Sequence, residues 1–258
     1  MQDRYTADIG DWSKYGLLRG LFQHTAPQLT LGIVWYLTPP ESNTDGRKVG
    51  YLDESAANRR RYAACDPELY ERLRTLRADA TKTGLGVELV PQSGVLSPST
   101  RYYETPIGVT KVPARDRAAY RRQWLKGALQ ATADCDIVTF DPDNGLETPS
   151  QSMGSATSGK YVFFDELLPF WQQGQSLIIY QHTSRQRGGV VTQTSNVRSG
   201  LSQHLGIDGT RIQALRFRTQ SSRTYFVVPA EQHGSRLISA IDAFKATPWV
   251  TLGHFAYG

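Results

Sequence analysis

The 258-residue chain has only two cysteines, Cys65 and Cys135. They supply no disulfide scaffold, and neither has a neighbour at zinc-ligand spacing, so a reducing, cytoplasmic setting is expected. Long apolar runs are missing too. None approaches the roughly 20 residues that a helix needs to cross a bilayer, and no membrane partner is expected. The opening MQDRYTADIG is polar and acidic where a secretory leader would be basic and then apolar. No helix-turn-helix or zinc module is visible, which argues against a protein that only reads DNA sequence. Internal repeats and interdomain linkers are also absent, so residues 1–258 read as one α/β domain, long enough to bury a sizeable core.

Glycine is scarce at one informative place. The apolar run Leu31–Leu37 is followed by TPPESNTDGRK, at the sheet edge where a cofactor would sit, and that loop contains only Gly46. Dinucleotide and methyl-donor sites normally carry a glycine-rich turn there, because the backbone must approach the ligand closely. Thr38, Asp45 and Gly46 are the residues that this loop offers to a cofactor.

What the chain does have is centred on Asp136–Glu147, DIVTFDPDNGLE. Ile137–Phe140 has the pattern of a strand buried on both faces. It ends in Asp141, Pro142, Asp143, Asn144 and Gly145, a set that also makes an ordinary Asx-type turn. A second such run, Ser176–Tyr180, leads into Gln181, His182, Thr183, Ser184 and Arg185. Between them Phe163–Gln173 reads as a helix despite Pro169. Strand, helix and strand predict a parallel crossover, with both polar exits at one edge of a sheet, where open α/β folds bind ligands. Carboxylates, an amide, an imidazole and a guanidinium are thereby expected in one cleft.

From Asp11 onward the N-terminal segment is helical in pattern, and Asp11 and Lys14 fall on its apolar stripe with Leu17, Leu18 and Leu21. Such a pair is costly unless it is matched or faces a cavity. Val87–Val90 reads as a strand, and Pro91–Pro113 as a long connection in which Arg101, Tyr102 and Tyr103 suit either base stacking or loop packing. Arg115–Gln130 reads as an amphipathic helix with Tyr120, Trp124, Leu125, Ala128 and Leu129 inward. Its Arg115, Arg122 and Lys126 face outward as candidate phosphate contacts; Arg59, Arg60 and Arg61 form a second basic run, more typical of a solvated helix face. Thr148–Gly159 reads as a flexible loop over the cleft. The C-terminal third predicts a helix near Thr192–Leu205, a hairpin of Arg211–Phe217 and Thr224–Val228, and a last helix, Gly234–Lys245. The formal net charge of +5 fits a nucleic-acid partner.

This order of elements, a Rossmann-like, mainly parallel sheet with helices on both faces and an antiparallel C-terminal hairpin, resembles the class I S-adenosylmethionine-dependent methyltransferases. Asp11-Trp12-Ser13-Lys14-Tyr15, Asp141-Pro142-Asp143-Asn144 and Ile179-Tyr180-Gln181-His182 narrow the resemblance to the adenine-N6 methyltransferases of large-subunit ribosomal RNA. They stand where that family has Asp-x-x-Lys-His, Asp-Pro-Pro-Tyr and an aromatic-rich strand end. The resemblance implies S-adenosylmethionine as cofactor and a base amine as target. In that arrangement Asp141 orients the amine, Asp11 and Lys14 brace the entrance, Tyr180 or a loop tyrosine stacks, and His182 and Arg185 line the substrate side. Asp143 and Asn144 replace the family's second proline and its aromatic. With Asp141 and Glu147 they form an oxygen-rich cluster of the kind Mg²⁺ prefers, so metal-dependent phosphodiester cleavage, with Lys160 and His182 nearby, is one alternative. A methyltransferase-like binding subunit without activity is another.

Overall fold

A computed structural model of the chain describes residues 1–25, 28–41, 46–183 and 188–258, with only the backbone of 81–83. Apolar runs without a polar alternation form its centre. Strands β1 (Leu31–Trp35), β2 (Arg101–Tyr103) and β3 (Ile137–Asp141) are parallel neighbours, and β1 and β3 are buried throughout. A two-stranded ribbon, β4 (Gly145–Leu146) with β5 (Tyr161–Val162), follows β3. The main sheet continues with β6 (Ser176–His182), parallel to β3. It is completed by β7 (Gln213–Phe217), β8 (Arg223–Val228) and β9 (Phe255–Tyr257), giving the seven-stranded order β2-β1-β3-β6-β8-β7-β9. β8 runs antiparallel to both β6 and β7, and β9 antiparallel to β7, so the expected hairpin is present with one more strand beside it.

Helices cover both faces. Ile33, Trp35, Ile137, Ile178 and Tyr225 pack with apolar residues of α1 (Ile9–Phe22), α2 (Pro67–Thr83) and a C-terminal helix, Gly234–Lys245. Val34, Val138, Phe140, Ile179 and Phe226 pack instead with α3 (Arg117–Ala131), α4 (Phe164–Gln172) and α5 (Gly189–Leu205). The C-terminal helix is α6. Among the described residues, no helix is long and apolar enough to cross a membrane.

Several expectations are corrected. Val87–Val90 is not a strand but a 3₁₀ turn leading into the helical turn Val90–Ser93, because Pro91 has no N–H for a ladder and suits a helix start. Part of the supposed connection, Arg101–Tyr103, is β2, at the edge beside β1. Tyr120 is not inward but 37% exposed, and the neighbouring Arg121 is fully buried. Thr148–Gly159 packs against α3, through Arg117 to Gly154 O (3.1 Å) and Arg121 to Ser158 O (2.6 Å).

Arg121 ties that side of the molecule together. Its guanidinium donates to both oxygens of the buried Glu166 and to the carbonyls of Ser158 and Tyr161, and it lies over the rings of Tyr36 and Phe163. A lysine keeps the charge but not the planar fork. Arg121→Lys is therefore expected to cost about 2 kcal/mol, the worth of a charge-assisted hydrogen bond left unmade, as a lowered urea midpoint at unchanged m-value.

Two buried histidines are each expected to contribute stability that is lost in acid. His254 Nε2 donates to Arg61 O (2.8 Å), so Nδ1 accepts from the Thr219 hydroxyl (2.7 Å), an arrangement that needs the neutral ring. Burial holds the His254 pKa below its ordinary 6.5, and His233 shifts the same way, its burial outweighing Asp136. A depressed histidine lets the unfolded chain bind more protons, so the histidines' contribution to stability declines as pH falls below about 6.5. His254→Gln should shrink the difference between the urea midpoints measured at pH 7 and pH 5.

Candidate functional site

Alternation along the central strands decides which side chains meet. Ile137, Ile178, Tyr180, Tyr225 and Val227 all face the α1 side of the sheet. Counting in steps of two places Asp141, His182 and Arg223 on that same face, at the carboxyl ends of β3 and β6 and the start of β8. The start of α1 lies over this edge. Together they enclose a cavity of about 470 Å³, lined by Asp11, Lys14, Asp141, Tyr180, His182 and Arg223 among others. This volume is in the range of small-molecule sites.

The helix start is made by Asp8, not Asp11. Its Oδ1 accepts from the backbone N–H groups of Gly10 (2.6 Å) and Asp11 (3.1 Å), a regular N-cap that adds two residues to the expected helix. Asp11 and Lys14 then share the buried face. Lys14 Nζ donates to Asp11 Oδ1 (2.8 Å) and to Asp141 Oδ2 (2.6 Å), and Asp11 Oδ2 accepts from Ala7 N (2.9 Å). Burial alone would lower the Lys14 pKa, but the two carboxylates outweigh it and hold it well above its ordinary value. Burial pushes the Asp11 carboxyl up to about 6 despite Lys14. The polar pair on the apolar stripe is thus both matched and cavity-facing, clamped to the end of β3.

The remaining predicted residues divide. Asp143, Asn144, Tyr180, His182 and Gly46 do line the cavity. His182 Nδ1 lies 3.2 Å from the Tyr180 hydroxyl, and the His182 backbone N–H donates to Asn144 O (3.0 Å). Arg101 and Tyr102 do not line it; as part of β2 they sit at the sheet edge, where Tyr102 stacks on Trp35. Nor do Arg115, Arg122, Lys126 or the Arg59–Arg61 run. Arg185 and Asp45 lie outside the described residues. The carboxylates of the metal alternative are held apart. Asp141 is on Lys14, Asp143 faces the Met1 nitrogen and Gln2, and Glu147, away from the cavity, accepts from Phe164 N (2.8 Å). Among the described residues, no three His, Cys, Asp or Glu side chains are arranged to hold a metal ion.

The crevice beyond β1 and β3, where neighbouring crossovers depart to opposite sides, is the usual cofactor position. Here Met1 and Gln2 fill it. The Met1 nitrogen lies 2.8 Å from Tyr36 O and 2.6 Å from Asp143 Oδ1, and Met1 O accepts from Thr38 N (3.0 Å). Asp143 Oδ2 accepts from Gln2 (2.9 Å) and the Thr38 hydroxyl (3.0 Å). Desolvation would raise the Asp143 pKa, but these partners outweigh it and lower it. Thr38 is thus engaged by protein and does not line the cavity. These residues do not fit an S-adenosylmethionine site in that crevice.

Lys160, expected near His182, does line the cavity and pairs with Glu41. Residues that the sequence reading missed complete the wall: Lys48 Nζ donates to Gln220 O (2.9 Å), in the turn between β7 and β8. Arg223, opposite His182 in the β6–β8 ladder, was concealed as the last residue of an apparent turn; its place two residues before Tyr225 is the signal that finds it. One other constellation lies elsewhere. Ser176 Oγ is 3.2 Å from His233 Nδ1, whose Nε2 is 3.3 Å from Asp136. That serine is fully buried at the opposite ends of the strands and already accepts from Ala230 N, so the group fastens β6 to the start of α6. No protein-family model matches the chain, and no curated protein matches its sequence.

Proposed function

We propose that the protein binds nucleic acid by drawing one nucleotide into this cavity, where Asp141 accepts a hydrogen bond from the exocyclic amine of the base. The observation that supports this is the state of Asp141. Oδ2 is fixed by Lys14, whereas Oδ1 has no partner among the described residues, on a side chain that lines the cavity. A carboxylate clamped by a buried ammonium keeps its acceptor at a fixed place, which is what recognition of an N–H donor requires. Tyr180 and Tyr5 offer rings in the same cavity, and base stacking on such rings contributes about 1–3 kcal/mol. The net charge of +5 favours a polyanion.

The filled crevice supports the reading of a methyltransferase-like protein that recognises a base without transferring to it. A second reading, methyl transfer to the held amine, is favoured by the position of Asp141 at the end of β3, which is where the resembled family places its acid. That chemistry needs a donor site other than the crevice that Met1 and Gln2 occupy. Calorimetry separates the readings. Titration with a single-stranded adenine-containing oligonucleotide should release heat, and titrations with S-adenosylmethionine or Mg²⁺ alone should not. Heat with S-adenosylmethionine turns the conclusion to transfer, heat with Mg²⁺ returns it to hydrolysis, and silence with the oligonucleotide removes the nucleic-acid reading.

A further inference from the structure

Among the described residues, every cation in the cavity wall but one is matched. Lys14 has two carboxylates, Lys160 has Glu41, and Lys48 donates to a carbonyl. Arg223 is 8% exposed, yet among the described residues its side chain makes no hydrogen bond and no ion pair, and its Nε is fully buried without a partner. Its guanidinium is held by rings instead, 5.8 Å from the centroids of both Tyr180 and Phe217. Burial alone would lower its pKa, but Tyr180, Tyr225, Asp8 and Asp11 outweigh it at longer range and hold it above its ordinary value, without any of them accepting a hydrogen bond from it. Asp8 acts on it electrostatically but, among the described residues, makes no ion pair with it, and its Oδ1 caps the helix. A buried, unmatched guanidinium is unfavourable, and a protein tolerates one where an anion completes it.

We infer that Arg223 is the phosphate-binding residue of the cavity, taking the phosphate of the nucleotide whose base amine is held by Asp141. The inference rests on the nucleotide reading of the cavity and extends it to the opposite wall. The start of α1 supports it. A Cβ at Gly10 would lie 2.0 Å from Arg223 Nη1, so the guanidinium rests directly against the first turn, where the helix adds partial positive charge. His182, across the ladder from Arg223, and Ser221, two residues before it, put further polar groups on the same wall. Among the described residues, the two non-glycine residues with positive φ, Ala7 (59°) and Gln220 (60°), immediately precede the cavity residues Asp8 and Ser221. Backbone strain of this kind gathers where a site is held in shape. One wall therefore accepts from a base while the other receives an anion, a polarity that matches a nucleotide and not a neutral nucleobase.

The test is calorimetric titration of the parent protein, Arg223→Gln and Gly10→Ala with adenosine, adenosine monophosphate and a single-stranded oligonucleotide lacking terminal phosphates. Arg223→Gln should bind the monophosphate at least tenfold more weakly than the parent and adenosine equally well. Its thermal midpoint without ligand should match or exceed the parent's, because an unmatched buried charge has been removed. Gly10→Ala, whose methyl displaces only the flexible end of Arg223 and the Asp8 carboxylate, should weaken the monophosphate in the same direction. The oligonucleotide separates the two phosphate sources. A loss there equal to that for the monophosphate, with a salt slope lowered by about one, assigns an internal diester, and a loss confined to the monophosphate assigns a free nucleotide. Monophosphate affinity within tenfold of the parent in Arg223→Gln overturns the assignment. Adenosine binding that survives this outcome leaves the Asp141 reading standing; unchanged adenosine binding in Asp141→Asn, with monophosphate binding lost in Arg223→Gln, does the reverse.

Discussion

Lys14→Met is expected to destabilise the fold by about 3–5 kcal/mol, the usual cost of removing one partner from a buried ion group. The ammonium sits between Asp11 and Asp141, and all three side chains are nearly inaccessible, at 4%, 2% and 6% exposure. Methionine matches the volume but leaves two carboxylates facing each other out of water. The pH dependence identifies the cause. Burial already raises Asp11 to about 6, and without Lys14 to pull it down the value climbs further. A raised carboxyl lets the folded state hold a proton that the unfolded chain releases, so its ionised form is penalised as pH rises through the folded value. The deficit of Lys14→Met relative to the parent should therefore be larger at pH 7 than at pH 5, in urea midpoints at matched ionic strength. A loss below about 1 kcal/mol, flat with pH, would mean that water reaches the three groups, as for an exposed pair.

The same triad shows how far the sequence could be read. Uninterrupted apolar runs announce strands buried on both faces, and for β1, β3 and β6 that pattern was sufficient, because nothing polar competes for them. Their polar exits were legible for the same reason: a carboxylate or imidazole placed directly after a buried strand has little room to be elsewhere. Asp11 and Lys14 were visible as a polar pair on an apolar stripe, although their third member lies far along the chain. What failed depended on partners distant in sequence. Arg121 looks like a solvent-facing residue of an amphipathic helix until Glu166 and two carbonyls close around it. Arg223 looks like the end of a turn until β6 fixes the register of β8. β2 and β9 have three residues each, too few for any period to show. Thr38 reads as a loop hydroxyl near a cofactor, and only the packing of Met1 and Gln2 reveals that the crevice is filled.

Asp141→Asn should reverse the preference of the cavity instead of merely weakening it. In the parent, Oδ2 is bound to Lys14 and the cavity sees a second acceptor. Lys14 has only donors, so the carboxamide must turn its oxygen toward Lys14 and its NH₂ toward the ligand. The group facing the base then changes from acceptor to donor. Adenosine and cytidine, which present an amine, should bind about 10- to 100-fold more weakly, as expected from losing a charge-assisted hydrogen bond of about 1.5–3 kcal/mol. Inosine and uridine, which present a carbonyl at the equivalent position, should gain. The fold should lose about 1–2 kcal/mol, since Lys14 keeps Asp11 as its ionised partner and still donates to the amide oxygen. A uniform loss for all four nucleosides would reveal only a collapsed cavity. Unchanged binding of adenosine would mean that the base lies elsewhere. Inversion requires that Lys14 dictates which atom of residue 141 meets the ligand, so this experiment tests both the acceptor and the clamp that orients it.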